Sequence, residues 1–482
     1  MLSVIHVLGS MLMMFSITYV LPVVTSILYD DGQLVDFVVA AIVCFGAGAA
    51  VWAVTRRYKR ELRARDGFLL VTFAWVLMSA IATVPLMLAI PGLSFTDAFF
   101  ETMSGLSTTG ATVLVGIDFL PPSINLWRHA LIWYGGMGII VLVVAILPLL
   151  GVGGMQLYKA ETPGPMKNDK LTPRITQTAR ALWFVYFLIT VACIVSLRLA
   201  GMGWFDAICH SFAAMGLGGF STYDASVGHF DSVAIEAVLI VFMLIAAMNF
   251  SRHFIAWQQK SLRTYVTDVE AKAMLWLIGL STVGLALYVW AHGVYPQFST
   301  ALRHVAFNLV SIATDCGFVS QDYAAWPVFA PMWILMLSCY CANTGSTGGG
   351  IKMFRTLVLF QQAARELRML VHPQTVTPVR VGGQVVQNQI VFAVLAFVVL
   401  YFGAVVSLTF ALLISGLDFV SAFSAIIACI NNAGPGLGVV GPASNFQGLS
   451  DFQTWTCALA MLLGRLEIFS VLVLFTPVYW RK

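Results

Sequence analysis

Long, continuous apolar runs dominate this chain and limit what it can fold into. Of its 482 residues, 59% are hydrophobic and only 10% are charged, whereas a soluble domain carries about 25% charged residues. The runs reach about 20 residues or more, the length that crosses a bilayer as a helix. They lack the alternation of barrel strands. Since backbone polar groups in lipid must be satisfied internally, the sequence predicts an all-α integral membrane protein.

Ten of these runs are predicted to be transmembrane helices. They lie at roughly 3–28, 34–54, 67–90, 125–150, 178–200, 232–256, 270–292, 327–360, 386–415 and 453–478. The first run has no Lys or Arg before it and is long enough to span. We therefore predict a retained helix there and not a cleaved signal peptide.

The basic residues divide unevenly between the two sides of the predicted helices. Of the 26 Lys and Arg residues, 22 fall on one side, whereas Asp30, Asp31 and Asp36 lie on the other. The positive-inside rule assigns the basic side to the cytoplasm, so both termini are predicted to be cytoplasmic. The basic residues border apolar runs and form no basic face. We expect membrane lipid around the chain and no nucleic-acid partner.

Four segments between predicted helices are too short to cross a membrane and too apolar for ordinary loops. Each contains a glycine that follows a polar residue thirteen positions earlier. The glycines are Gly110, Gly219, Gly317 and Gly434, and the polar residues are Asp97, Asp206, His304 and Ser421. Three of these polar residues are good helix N-caps, and a glycine commonly ends a helix. We therefore predict four short re-entrant helices, each ended by its glycine and followed by an extended return.

The recurrence of this pattern divides the chain into five predicted units. Residues 1–60 form an N-terminal two-helix extension, and four repeats cover 61–160, 161–262, 263–372 and 373–482. The pore loops of the repeats are 97–112, 206–222, 304–320 and 421–437. Each repeat, in the order helix, pore loop, helix, begins and ends on the cytoplasmic side. The repeats are therefore parallel and can surround one pseudo-fourfold axis normal to the membrane.

Four loops that converge on one axis have the properties of a cation pore. Irregular backbone at membrane depth is tolerated where it lines water, and helix C-termini aimed at a cavity place partial negative charge there. Backbone carbonyls can then replace the hydration shell of an ion. The predicted filter residues are Thr108, Thr109, Gly110, Leu217, Gly218, Gly219, Asp315, Cys316, Gly317, Asn432, Ala433 and Gly434. Asp315 has two open interpretations, because it either enriches cations at the mouth or caps the loop.

The first loop, Ser104 to Thr112 (S-G-L-S-T-T-G-A-T), resembles the first pore loop of the Trk/Ktr/HKT superfamily of potassium transporters. Residues 219–222 and 431–436 are similar to the second and fourth loops of that superfamily, and 314–318 is a weaker match to the third. The resemblance covers essentially the whole chain. The extension at 1–60 makes it most similar to the bacterial TrkH-type subunit of potassium-uptake systems.

This resemblance implies potassium selectivity, since members with serine at the first filter position tend to conduct sodium. Potassium would be the transported ligand, and no organic cofactor is expected in this chain. The resemblance also implies a homodimer in the bacterial inner membrane, with one pore per subunit. A separate cytosolic nucleotide-binding subunit of the TrkA type would control it. Channel-like flux and proton-coupled symport are both compatible with the resemblance.

A glycine-rich stretch interrupts the predicted helix that begins near Trp326. It comprises Asn343, Thr344, Gly345, Ser346, Thr347, Gly348, Gly349 and Gly350, with Lys352 just beyond. One interpretation is a flexible loop outside the membrane. The apolar stretch before it, about 15 residues, is short for a full crossing, which favours a broken helix inside the membrane. The resemblance implies that this loop is a gate below the filter, where Lys352 would add cationic repulsion.

Arg465 lies inside the last predicted helix, where an arginine costs about 2.5–3.5 kcal/mol. It either forms an ion pair with Glu236 or Glu467, or lines the pore as a positive charge, the role that the resemblance implies. Glu467 is a poor partner because residues i and i+2 of a helix do not face each other. Arg128, Arg198 and Arg303 lie near external helix ends and are predicted to be snorkelling anchors.

Enzyme function has little support in the sequence. The G-x-G-x-x-G match at 436–441 follows no strand, and the eight cysteines show no zinc or disulfide spacing. The main alternative to a potassium pore is a secondary transporter for another small solute or for sodium. Such transporters often have inverted repeats and several broken helices. Here the predicted repeats are parallel and only one broken helix is evident.

Overall fold

The computed structural model of the chain describes residues 1–58, 62–141 and 175–481. Within them the chain is almost entirely helical, and the strands Arg380–Val381 and Gln384–Val385 form one antiparallel hairpin. The long helices are Leu2–Phe15 continuing into Val20–Tyr29, Leu34–Thr55, Ala64–Ala89, Pro122–Val141, Ile175–Leu199, Val269–Ala291, Met353–Val371 and Asn388–Ile414. Three shorter helices are Arg263–Thr267, Phe469–Leu472 and Pro477–Trp480.

Six helices in the described ranges are long and apolar enough to cross a membrane, and each coincides with a predicted span. They are Leu2–Tyr29, Leu34–Thr55, Arg65–Ala89, Ala179–Leu199, Val269–Ala291 and Asn388–Ile414. Large apolar side chains on them point outward, such as Ile42, Trp276 and Val399, as expected for a surface in contact with lipid. The predicted span 125–150 begins in Pro122–Val141, and its remainder lies outside the described residues.

Within the described residues three predicted spans are broken, whereas the sequence predicted one broken span. Val233–Ala246 and Phe250–Gln259 meet at 95°, and Asp451–Arg465 and Phe469–Phe475 meet at 108°. In the third, Phe329–Ser338 and Met353–Val371 are separated by residues 339–352. The apolar character continues across the first two bends, so hydropathy does not reveal them. The local signal is Asn249, whose side chain accepts a hydrogen bond from Ser251 N (2.8 Å) and caps the second half.

Four short helices lie between the spans where re-entrant helices were predicted. Short helices 1 to 4 are Phe95–Leu106, Trp204–Gly216, Phe298–Ala313 and Phe419–Asn431. Each is followed by a non-helical stretch, called here return segments 1 to 4: residues 107–116, 217–225, 314–322 and 432–437. Glycine-containing turns and short 3-10 segments then lead to the next helix.

The ends of the short helices differ from the prediction. Asp97, Asp206 and Ser421 are third residues of their helices and His304 is internal, because the N-caps are Ser94, Gly203, Gln297 and Asp418. Ser94 accepts from Asp97 N (3.0 Å), and Asp418 accepts from Ser421 N (3.0 Å). The glycines do not end the helices either, since each lies three or four residues beyond the last helical residue.

Candidate functional site

The four return segments share one backbone path. Thr108, Leu217, Asp315 and Asn432 have positive φ values of 56°, 56°, 65° and 57°. Each lies two residues before one of the four glycines, whose φ values are 78°, 33°, 92° and 87°. Positive φ is uncommon outside glycine. Its recurrence at four matched positions means that the four segments turn in the same way although their side chains differ.

The four glycines form a closed ring, called here the glycine ring (Gly110, Gly219, Gly317 and Gly434). A Cβ on Gly110 would collide with Gly218 O, and one on Gly219 would lie 2.5 Å from Cys316 O. A Cβ on Gly317 would lie 2.6 Å from Ala433 O. The circle closes because a Cβ on Gly434 would lie 3.0 Å from Thr109 O. Each glycine therefore abuts the carbonyl that precedes the next glycine, and the structure brings all twelve predicted filter residues together.

One cavity opens on the side of the ring where the residues that follow the four glycines lie. All four ring glycines line it, together with Thr112, Ser221, Asp224, Pro435 and Asn445, among others. The lining residues come from all four segments, so the cavity is centred over the ring and not beside it.

The glycine-rich loop (residues 343–350) crosses the opposite side of the ring. Gly349 N donates to Asp315 Oδ2 (3.0 Å), and Thr347 Oγ1 donates to Met215 O (3.0 Å). A Cβ on Gly349 would collide with Asn431 O. The loop therefore contacts the C-terminal ends of short helices 2, 3 and 4.

The loop also fills the bend in the broken helix of the second repeat. Asn343 N donates to Ala247 O (3.0 Å), and Gly345 O accepts from Phe250 N (3.1 Å). Asn343, Ser346 and Thr347 are buried. The exposed-loop interpretation is therefore wrong. The segment is internal because its glycines let backbone pass where a Cβ would not fit.

Two cations hold carbonyl groups of this loop. Lys352 Nζ donates to Gly348 O, and Arg465 Nη1 donates to Thr347 O (2.7 Å). Arg465 Nη2 also reaches Gly135 O, at 3.0 Å, in the helix Pro122–Val141. Arg465 is 2% exposed and ends its helix at the bend, so it is not in mid-helix as predicted.

The ion-pair interpretation of Arg465 is wrong for both proposed partners. Glu236 lies 2.8 Å from Arg303, and Glu467 lies 2.7 Å from Arg355. Arg465 thus contacts the loop through hydrogen bonds to carbonyl groups. The first alternative for Asp315, a position at the mouth, is also wrong, because the side chain is fully buried on the loop side of the ring.

Two arginines predicted to be snorkelling anchors are instead paired. Arg128 is 1% exposed, and its Nε lies 2.8 Å from Glu101 Oε1. Arg303 binds both Glu236 and Asp231 at 2.8 Å. The signal for Arg128 was Glu101, an acidic residue in an apolar segment nine residues before Gly110. Arg198 lies over the ring of Trp204, 5.6 Å from its centroid.

Side chains in the described ranges offer no conventional metal site. No group of three or more His, Cys, Asp or Glu residues there could hold a metal ion, and all eight cysteines are buried free thiols. The groups that lie against the ring glycines are backbone carbonyls.

Comparisons with known proteins agree with this arrangement. The family profile TrkH, described as a cation transport protein, matches residues 34–482. The chain is 46% identical over 483 residues to the Trk system potassium uptake protein TrkH of Vibrio parahaemolyticus, covering 100% of this chain and 99% of that protein. It is 40% identical over 481 residues to the Trk system potassium uptake protein TrkG of Escherichia coli, covering 99% and 98%.

A solved structure supports the same assignment. The crystal structure of the potassium transporter TrkH from Vibrio parahaemolyticus matches with a TM-score of 0.92 at 44% identity, covering 100% of this chain and 99% of that one. The predicted fold class, an all-α multi-pass membrane protein, is thereby confirmed, as is the resemblance to the Trk/Ktr/HKT superfamily. The chain belongs to the TrkH family of cation transport proteins.

Proposed function

We propose that this chain is the potassium-selective, ion-conducting subunit of a bacterial potassium-uptake system. The observation that carries the proposal is the closed glycine ring, in which four return segments place backbone against backbone around one centre. The names of the relatives, potassium uptake proteins, support potassium as the ion.

The twelve residues at the ring form the selectivity filter in this proposal. Residues of positive φ alternate with residues of negative φ along each segment. Such alternation gathers successive N–H groups on one side and leaves the carbonyls on the other, where they replace the water of an ion. The C-terminal ends of the four short helices lie just before the ring and add partial negative charge.

The glycine-rich loop and Lys352 form the gate. Among the bonds that hold the loop beneath the ring, three involve the side chains of Asp315, Lys352 and Arg465. In this position the loop blocks the path from the ring to the cytoplasmic side. Opening requires these bonds to break, and Arg465 adds a positive charge that limits ion occupancy below the filter.

The surroundings of the pore follow from the charge distribution and the relatives. Four parallel repeats with the boundaries given above surround the pore, and the extension at 1–60 packs beside the first. The chain lies in the bacterial inner membrane with both termini in the cytoplasm, as the positive-inside rule requires. It acts as a homodimer controlled by a cytosolic nucleotide-binding subunit of the TrkA type. The relatives' names, which refer to a Trk system, support several components.

A secondary transporter for another small solute or for sodium is the second candidate. The three broken helices favour it, since such helices form the central site of many transporters. The fourfold ring weighs against it, because the loop that fills the first bend also contacts Asp315 at the ring.

Ion flux into liposomes that contain the purified chain tests the proposal. Potassium should pass in preference to sodium and lithium, and Gly110→Ser should reduce that preference. Deleting Gly348 and Gly349 should raise flux in the absence of the cytosolic subunit, whereas deleting the exposed turn glycines Gly382 and Gly383 should not. Flux that prefers sodium, or no cation flux even with the cytosolic subunit added, would favour the second candidate.

A further inference from the structure

Each short helix is joined to its own return segment by one buried side chain at a matched position. Glu101, His210 and Asn308 lie nine residues before their ring glycines, and Ser424 lies ten residues before its own. All four side chains are buried, at 0–1% exposure. We call them braces. They share a position but no chemical type, so no sequence motif marks them.

The first brace is charged. Glu101 accepts hydrogen bonds from Val113 N (3.1 Å) and Thr112 Oγ1 (3.0 Å), both just beyond Gly110. Its carboxylate also binds Arg128, whose guanidinium carbon lies 4.3 Å from the centroid of Phe220, the residue after Gly219. This brace therefore fixes return segment 1 and touches return segment 2.

The second brace is an imidazole. His210 Nδ1 lies 2.8 Å from Asp206 O, a group that can only accept, so this nitrogen carries the proton. Nε2 lies 2.9 Å from Ser221 Oγ. Ser221 Oγ also accepts from Tyr223 N, at 3.2 Å. His210 thus holds return segment 2 two residues beyond its glycine.

The third and fourth braces are neutral and bind one residue twice. Asn308 Oδ1 accepts from Ser320 N (3.1 Å), and its Nδ2 donates to Ser320 Oγ (3.0 Å). Ser424 Oγ accepts from Leu437 N (2.8 Å) and donates to Leu437 O (3.2 Å). Ser320 and Leu437 both lie three residues beyond their ring glycines, as Val113 does.

We propose that Glu101, His210, Asn308 and Ser424 are positioning residues that set the ion selectivity of the ring. The return segments belong to no sheet, and the brace bonds help to fix each one two or three residues beyond its glycine, together with other bonds such as that from Thr222 Oγ1 to Asp206 Oδ1 at 2.7 Å. The positions of the return segments determine the distance between opposite carbonyls of the ring. A lost brace leaves buried polar groups without partners, and the strand shifts to find new ones. The inference rests on the proposed potassium function.

Selectivity, and not total flux, is the measurement that tests the braces. Asn308→Leu and Ser424→Ala each remove the acceptor for a buried backbone N–H. The potassium-to-sodium flux ratio of the full chain in liposomes should fall about tenfold for each. Asn308→Asp keeps the size and the acceptor for Ser320 N, so it should retain more of the ratio than Asn308→Leu.

Thr102→Val is the matched control. Thr102 is buried next to Glu101, but its hydroxyl donates only to carbonyls of its own helix and to Ser79 O, at 2.8–3.1 Å. Its selectivity should equal that of the unaltered chain. If the unaltered chain selects potassium and the brace variants match Thr102→Val, the brace proposal fails alone. If the unaltered chain does not select potassium, the proposed function itself fails.

Discussion

The carboxylate of Asp315 accepts a hydrogen bond, at 3.0 Å, from the backbone N–H of Gly349. Asp315 stands two residues before a ring glycine, and Gly349 belongs to the loop beneath the ring. One bond therefore ties the ring to the glycine-rich loop. Both residues are buried, so breaking the bond would leave the N–H of Gly349 without a partner.

Asp315→Leu should break this tie, because leucine is close in size to aspartate but has no hydrogen-bond acceptor. We expect potassium flux without the cytosolic subunit to rise about fivefold, the effect of about 1 kcal/mol. Tracer uptake into liposomes measures it. Asp322→Leu removes an exposed carboxylate from the same return segment and is the control. Equal uptake by the two variants would show that Asp315 does not restrain the loop.

Gly317→Ala should disrupt the ring. Its φ of 92° is unfavourable for alanine, and the new Cβ would lie 2.6 Å from Ala433 O. We expect loss of potassium-over-sodium preference, or loss of folded protein in size-exclusion chromatography. Gly279→Ala is the matched change, because Gly279 lies in a long helix with nothing within 4 Å of the added Cβ. That variant should be as selective as the unaltered chain and more stable by about 0.5–1 kcal/mol.

Arg465→Ala should raise conductance. The substitution removes the donors to Thr347 O and Gly135 O and takes a positive charge away from below the ring. Single-channel recording or tracer flux measures the effect. Arg198→Ala removes an exposed arginine and should change neither quantity. Unaltered conductance in a folded Arg465→Ala protein would count against a role in limiting ion occupancy.

Asp418→Ala should destabilise the chain by about 1 kcal/mol, the usual cost of losing an N-cap. Hydrogen bonds from the backbone and side chain of Ser421 lower the pKa of Asp418. A lowered pKa means that the stabilisation is present above the ordinary carboxyl range and is lost as pH falls through the folded-state pKa. Thermal unfolding in detergent at several pH values measures both effects.

Asp418→Asn separates the cap from the charge. Asparagine is a comparable N-cap but does not titrate. Its stability near neutral pH should be close to that of the unaltered chain, without the acid-dependent loss that Asp418 contributes. An equal acid-dependent loss in both proteins would assign the pH effect to other carboxyl groups.

The positions of the ring glycines could be predicted because glycines at recurring positions can be recognised directly in the sequence. Four glycines at matched distances from polar residues indicate four matched turns. The left-handed residues before them were not predicted as such, since Thr108, Leu217, Asp315 and Asn432 share no property that favours positive φ. Only the surrounding packing imposes it.

Other features escaped prediction because they depend on distant partners. The bends at 247–249 and 466–468 occur within apolar stretches, and the first is stabilised by bonds to residues 343 and 345 of another span. Arg128 was predicted to be a snorkelling anchor. Its actual partner, Glu101, lies 27 residues earlier in the chain, so local sequence pattern does not show the pairing. Local sequence pattern predicts helices and turns well, but it does not predict which buried charged residues contact each other.

The glycine ring is assembled from a single polypeptide, so one mutation changes only one of its four quadrants. In a pore made of identical chains, one mutation alters every quadrant together. Here a substitution at Cys316 or Ala433 would alter one quarter of the ring. Evolution can therefore adjust the ring in small increments, and a fault in one quadrant can be compensated in another.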